Sequence, residues 1–193
     1  MRAAALSVLF ALSAATAFAA DGPAAREPAA PASLPDSTRW ELRLGATGHD
    51  ISGPEEGSVN ITGQVLTPRL VQLSDPVANL LVPRIHLGGS LNTAGDTSFA
   101  FVGFTWTFDI TPRIFVEGSF GGAVHNGNTS RVMVAPHESA LGCSPLFREA
   151  AAIGYRIDAR WSVTASVEHL SNAGLCTQNR GLTNVGLHLG YAF

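Results

Sequence analysis

A histidine and a serine two positions apart can act as a base and a nucleophile, and this sequence carries such a pair in His169-Leu170-Ser171. A serine hydroxyl attacks poorly until a neighbouring base takes its proton. An imidazole, which ordinarily titrates at about 6.5, suits that task near neutral pH. Asn172 follows directly, with a side-chain amide and a backbone N–H that could donate to an oxyanion; its plainer role is to form a loop before Ala173-Gly174.

The run that carries them reads as a strand. From Trp161 to Ser171 the odd positions are Trp161, Val163, Ala165, Val167, His169 and Ser171, while Ser162, Thr164, Ser166 and Glu168 alternate with them. Side chains i and i+2 of a strand share a face. His169 and Ser171 therefore extend an apolar face, their Cα atoms roughly 6 to 7 Å apart. In a membrane barrel that face meets lipid, so a nucleophile and its base would be turned toward acyl chains.

The His-x-Ser spacing is common by chance, and its weight comes from its place on an oily face. A third group is needed to orient the imidazole, and strand pairing offers two candidates. Pairing the seventh and eighth strands across the 172–182 loop brings Thr183 beside Ser171. Pairing the sixth and seventh around Asp158 brings Glu149 diagonal to His169. Glu149 stands among Phe147, Ala151, Ile153 and Tyr155, a costly place for a charge unless it has a partner or snorkels to the headgroups.

The elements that must position these groups are all strands. The chain opens with Met1-Arg2, an apolar run and Ala17-Phe18-Ala19-Ala20, the pattern of a cleaved export signal over 1–20. An Ala/Pro-rich leader follows over 21–37, without any period. Alternating segments then begin, and 38–193 reads as one domain of eight strands. Among them are Trp40 to Ala46, Val59 to Leu66, a third strand ending near Leu87, Phe99 to Phe108, Arg113 to Val124, Pro145 to Ile157 and Thr183 to Phe193. His49–Gly57 and Gly88–Asp96 are expected as loops, and the region from Pro68 to Pro76 as a turn.

No later apolar run approaches the roughly 18 residues of a membrane helix, whereas strands of this length suit a tilted bilayer crossing. The expectation is all-β: an eight-stranded antiparallel transmembrane barrel of the outer membrane of a Gram-negative cell, closed so that no edge faces lipid. With both chain ends at the periplasm, the seventh strand ends near the outer leaflet. The inward set, Arg39, Glu41, Arg43, Arg84, His86, Glu117, Glu168 and His188, mixes both signs. It reads as a polar plug, because eight strands leave an interior only wide enough for side chains.

Composition narrows the partners. A net charge of -3 with 14% charged residues gives no reason to expect nucleic acid, and the chain is too apolar for disorder. Two cysteines, Cys143 and Cys176, fall in expected loops of an exported chain and are candidates for a disulfide. No paired Cys or His spacing suggests zinc or another metal, and the proposed chemistry requires no cofactor.

His169-Leu170-Ser171-Asn172-Ala173, followed by Asn179-Arg180-Gly181-Leu182 and a last strand ending Gly190-Tyr191-Ala192-Phe193, resembles the lipid A 3-O-deacylase (PagL) family. The resemblance is weaker upstream, through Gly142-Cys143 to Arg148 and the Gly118 to Gly122 strand. It implies an outer-membrane serine esterase that removes the ester-linked 3-O-acyl chain of lipid A, remodelling lipopolysaccharide in the outer leaflet. His169 would be the base, Ser171 the nucleophile and Asn172 an oxyanion contributor; where that family carries an acidic residue, this chain has Thr183. The competing expectations are a non-catalytic small barrel of the adhesion or membrane-stabilising type and a lipid A acyltransferase, which would need an internal acyl pocket. Whether the barrel forms a homodimer is left open by the sequence.

Overall fold

The protein was analysed as a computed structural model, which describes residues 38–130 and 135–193. The expected export signal and leader lie outside the described residues. Eight strands form a closed antiparallel barrel in sequence order: β1 (Glu41–Gly48), β2 (Val59–Arg69), β3 (Arg84–Asn92), β4 (Phe99–Asp109), β5 (Ile114–His125), β6 (Leu146–Arg156), β7 (Trp161–Ser171) and β8 (Leu182–Ala192). The ring closes where β1 pairs with β8, Glu41 opposite Ala192 and Gly48 opposite Val185. Every strand has two neighbours, so its backbone donors and acceptors are satisfied without water.

The alternation in sequence becomes two surfaces. Leu44, Ile61, Leu87, Val102, Ile153 and Leu187 stand exposed on the outer wall. A continuous apolar exterior of this kind requires hydrocarbon around it. The inner wall holds ion pairs. Arg43 donates from Nε to Glu41 Oε1 at 2.7 Å and from Nη2 to Glu117 Oε1 at 2.9 Å, and Arg84 Nη1 reaches Glu41 Oε2 at 2.8 Å. Higher in the lumen Arg148 Nε donates to Glu168 Oε2 at 2.8 Å, its guanidinium 3.9 Å above the centre of the Phe101 ring.

The polar plug leaves little room. A central cavity of about 30 Å³ lies among Arg43, Glu117, Arg148, Glu168, Ser166 and His188, room for a water and far too small for an acyl chain. That geometry argues against the acyltransferase expectation. Arg39 departs from the expected inward set: it precedes β1 and sits at the rim, its Nη1 donating to Ala159 O at 3.3 Å.

Two stretches differ from expectation. Gly88–Asn92 belongs to β3 rather than to a loop. A Cβ at Gly88 would lie 2.5 Å from Phe101 Cζ and 2.6 Å from Gly63 O, so this glycine admits the Phe101 ring to the lumen and does not end the strand. Just past the expected turn at Pro68 to Pro76, where the third strand was expected to begin, the chain forms the short helix α1 (Pro76–Leu80) and β3 starts only at Arg84. Asp75 Oδ1 caps it, accepting from Ala78 N at 2.8 Å, and Pro76 occupies the first turn where no N–H is needed.

Candidate functional site

β7 delivers His169 and Ser171 to the outer wall near the end that bears the 49–58, 126–145 and 172–181 connections. Leu170 between them is buried in the lumen, and both candidates are half-buried on the other face. In register, His169 stands directly opposite Glu149 on β6 and Thr183 on β8, while Ser171 stands opposite Phe147. Both orienting candidates thus flank the imidazole, one pairing step from where the sequence put them: Thr183 is beside His169 and not beside Ser171, and Glu149 is level with His169 and not diagonal.

Thr183 is the one of the two that binds the ring. His169 Nδ1 lies 2.8 Å from Thr183 Oγ1, which leaves Nε2 as the nitrogen free to exchange a proton. Glu149 is exposed on the lipid face and makes no hydrogen bond among the described residues. Ser171 shares the face of His169 but forms no hydrogen bond to it; such contacts commonly tighten only when substrate is bound.

The ring edge that carries Nε2 packs against backbone. Gly181 has φ +72°, and a Cβ there would come within 2.8 Å of His169 Cε1 and 3.0 Å of Nε2. Only glycine combines that left-handed conformation with a bare surface for the imidazole. Sequence reasoning quoted Gly181 within a motif without giving it a task; a glycine two positions before the expected orienting residue is the signal that could have marked it.

Asn172 is not arranged as expected. Its side-chain Nδ2 donates to Leu141 O at 2.8 Å and Gln178 O at 2.6 Å, and its backbone N–H is taken by Asn179 Oδ1 at 2.8 Å. Its own Oδ1 accepts from Gly174 N at 3.0 Å. Buried to 2% exposure, it has no donor left for an oxyanion and serves instead as the hub that folds the 172–181 loop. The bond that uses Asn179 Oδ1 leaves the Asn179 amide nitrogen unpartnered among the described residues.

Two further loops pack onto this one. A disulfide joins Cys143 to Cys176, and Arg180 N donates to Ala140 O at 3.1 Å. From the other side the 49–58 loop meets β8, Ile51 N donating to Thr183 O at 2.9 Å. Glu55 holds that loop: Ser139 N, Thr97 N and His49 Nε2 lie 2.9, 3.0 and 2.9 Å from its oxygens. Burial alone would raise its carboxyl, but these donors outweigh burial and hold it down at about 2. Asn60 Nδ2 lies 3.0 Å from His49 Nδ1; its amide donates there, so the His49 proton sits on Nε2 and points at Glu55.

Beside the site an open pocket of about 400 Å³ is lined by Pro54, Pro136, Glu138, Gln178, Asn179 and Arg180. Among the described residues no cluster of His, Cys, Asp and Glu could hold a metal ion.

The family model described as lipid A 3-O-deacylase (PagL) matches residues 72–192. Among solved structures the chain is similar to the outer membrane enzyme PagL, at 20% identity and TM-score 0.58 over 81% of this chain and all of that one. It is also similar to the Neisserial surface protein NspA, at 9% identity and TM-score 0.53 over 80% and 97% of the two chains, and at these identities both likenesses speak to the fold alone. No curated protein matches the chain by sequence.

Proposed function

The chain belongs to the lipid A 3-O-deacylase (PagL) family, and from that premise we propose that Ser171 and His169 carry its ester hydrolysis. The protein is an outer-membrane carboxylic ester hydrolase acting on lipid A, and its wall is where the substrate lies. Ser171 Oγ attacks the carbonyl carbon of the 3-O-acyl ester while its proton passes to His169 Nε2. The tetrahedral intermediate collapses, His169 returns the proton to the departing sugar oxygen, and the acyl chain remains esterified to Ser171. Water then attacks, again giving its proton to His169, and the fatty acid leaves with the serine hydroxyl restored.

Thr183 supports this by accepting from Nδ1–H, which fixes the tautomer that leaves Nε2 as acceptor. Asn172 shapes the loop; the Asn179 amide, held through its oxygen, is the donor we assign to the oxyanion. The pocket bearing Arg180 lies on the headgroup side, where a sugar phosphate would meet a cation. Every group named here comes from one chain, so the chemistry needs no homodimer; sedimentation in detergent decides that question.

The observation that carries the reading is the imidazole on the oily wall, bonded at Nδ1 and free at Nε2, on the same face as Ser171. Ser171→Ala and His169→Ala should each lower release of the 3-hydroxyacyl chain by at least about 10³-fold. Mass spectrometry of the lipid A measures release, and heat-modifiable migration shows that the barrel has folded. Wild-type release from either folded variant refutes the assignment.

A further inference from the structure

An imidazole that accepts a proton in the transition state becomes a cation, and a serine hydrolase normally places a negative charge behind it. Here the group on Nδ1 is the neutral hydroxyl of Thr183. Within the reading above, the charge has to come from elsewhere.

The residue packed behind Thr183 is Asp50. Its Oδ1 lies 3.4 Å from Thr183 N, and the next residue, Ile51, donates its N–H to Thr183 O at 2.9 Å. The 49–58 loop therefore grips the backbone of Thr183 on both sides. Asp50 is only 2% exposed, and no ion pair among the described residues reaches it. Its Oδ2 accepts from Ser139 Oγ at 2.9 Å and Glu55 N at 3.2 Å. The backbone is held at φ +41°, a left-handed conformation that Asp and Asn adopt more readily than other non-glycine residues. Gly53 makes room for the carboxylate, since a Cβ there would fall 1.9 Å from Asp50 Oδ2. A buried carboxylate without a counter-cation among the described residues is expensive, where a neutral amide could form the same turn.

We infer that Asp50 is a positioning residue of the deacylase site: through Thr183 it supplies the negative charge that the imidazolium of His169 requires. Other charges face the ring from its neighbours. Glu149 lies across β6, exposed and unbonded, and Glu168 points into the lumen, paired with Arg148. Asp50 differs in being fixed in place and joined to the very residue that binds Nδ1.

The inference rests on the assignment of Ser171 and His169, and the test separates the two. Kinetics on lipid A in mixed micelles should show Asp50→Asn lowering kcat by about 10- to 100-fold with KM changed less than about twofold, because the charge matters only once the imidazolium forms. Thr183→Glu places a carboxylate directly beside the ring. In that background Asp50→Asn should cost less than about threefold, whereas a purely structural Asp50 would cost the same in both. If Asp50→Asn does not fold, the Thr183→Glu variant decides by the size of its gain: a rise in kcat of more than about tenfold would mean that no charge had served the imidazolium and overturns the inference, and a smaller rise supports it.

Wild-type kcat in folded Asp50→Asn overturns the inference, as does a loss confined to Glu149→Gln. If Ser171→Ala also keeps its activity, the failure belongs to the underlying assignment and not to Asp50.

Discussion

At the scale of single residues, the site depends on which surface the imidazole rests on. Gly181 and Gly174 lie in the same loop and both take left-handed backbones, φ +72° and +78°, but a Cβ at Gly174 would meet nothing within 4 Å whereas one at Gly181 would meet His169. The two therefore form a matched pair for experiment. Ala at either position carries the backbone penalty of about 1 kcal/mol. Only Gly181→Ala would displace the His169 ring, the proposed base, and a displacement of about 1 Å at reacting groups costs on the order of 10²-fold in rate. We expect kcat to fall by that amount in Gly181→Ala and by less than about threefold in Gly174→Ala, with similar melting temperatures; equal losses would show that loop strain alone matters. Asn172 teaches the converse. Its position beside Ser171 suggested chemistry, yet a side-chain amide with four hydrogen-bonding sites is valuable to loops, and the backbone at Leu141, Gln178, Gly174 and Cys176 has taken them all.

At the scale of elements, register places the pair and loops restrain it. Direct pairing of His169 with Thr183 lets a short hydroxyl side chain reach the ring, since facing Cβ atoms in antiparallel strands are about 4.5 to 5.5 Å apart. The 49–58 loop, the 126–145 loop and the β3–β4 connection converge on Glu55 through His49, Ser139 and Thr97. Its carboxyl, held at about 2, sets the sign of a pH effect. A depressed carboxyl stabilises its surroundings above its ordinary value of about 4.5, and that stabilisation is lost as pH falls toward about 2. Hydrogen exchange corrected for intrinsic rates should show the amides of Thr97 and Ser139 equally protected from about pH 7 to about pH 5 and progressively exposed below about pH 4.5, while β7 amides hold. Uniform protection down to about pH 2 would mean that Glu55 does not hold the loops.

At the scale of the whole molecule, the lumen is a scaffold, and the chemistry proposed for Ser171 and His169 belongs to the wall. Arg43 stands between Glu41 and Glu117; without it Glu41 keeps Arg84, but buried Glu117 loses the cation that it is paired with. Loss of one partner from a buried ionic network typically costs about 3 to 5 kcal/mol. Arg43→Gln should therefore lower the free energy of unfolding, read from urea titration in detergent, by that much and shift the midpoint down, while kcat of the protein that remains folded stays within about threefold of wild type. An unchanged midpoint would mean that the network sets specificity rather than stability. All three tryptophans and both tyrosines, at Trp40, Trp106, Trp161, Tyr155 and Tyr191, gather at the barrel end away from the candidate site. There Trp161 and Tyr191 pack at 4.8 Å between ring centres, and aromatic rings of this kind anchor a barrel at a headgroup layer. The opposite end carries the braced loops and the candidate site.

Period-two alternation determined much of this protein by itself: which residues face lipid, which line the lumen, and that His169 and Ser171 share the outer wall. That information is local, because a strand's faces follow from its own pleat. Glycine misled at Gly88 because its role there is to admit Phe101 from the next strand, and nothing within its own segment records that. Register to a single pair, the commitment of Asn172 to the loop, the ring contact of Gly181 and the burial of Asp50 behind Thr183 were decided only by tertiary structure. Each depends on two segments far apart in sequence meeting at hydrogen-bond distance, and one residue's slip in pairing would have turned the same side chains to the other face.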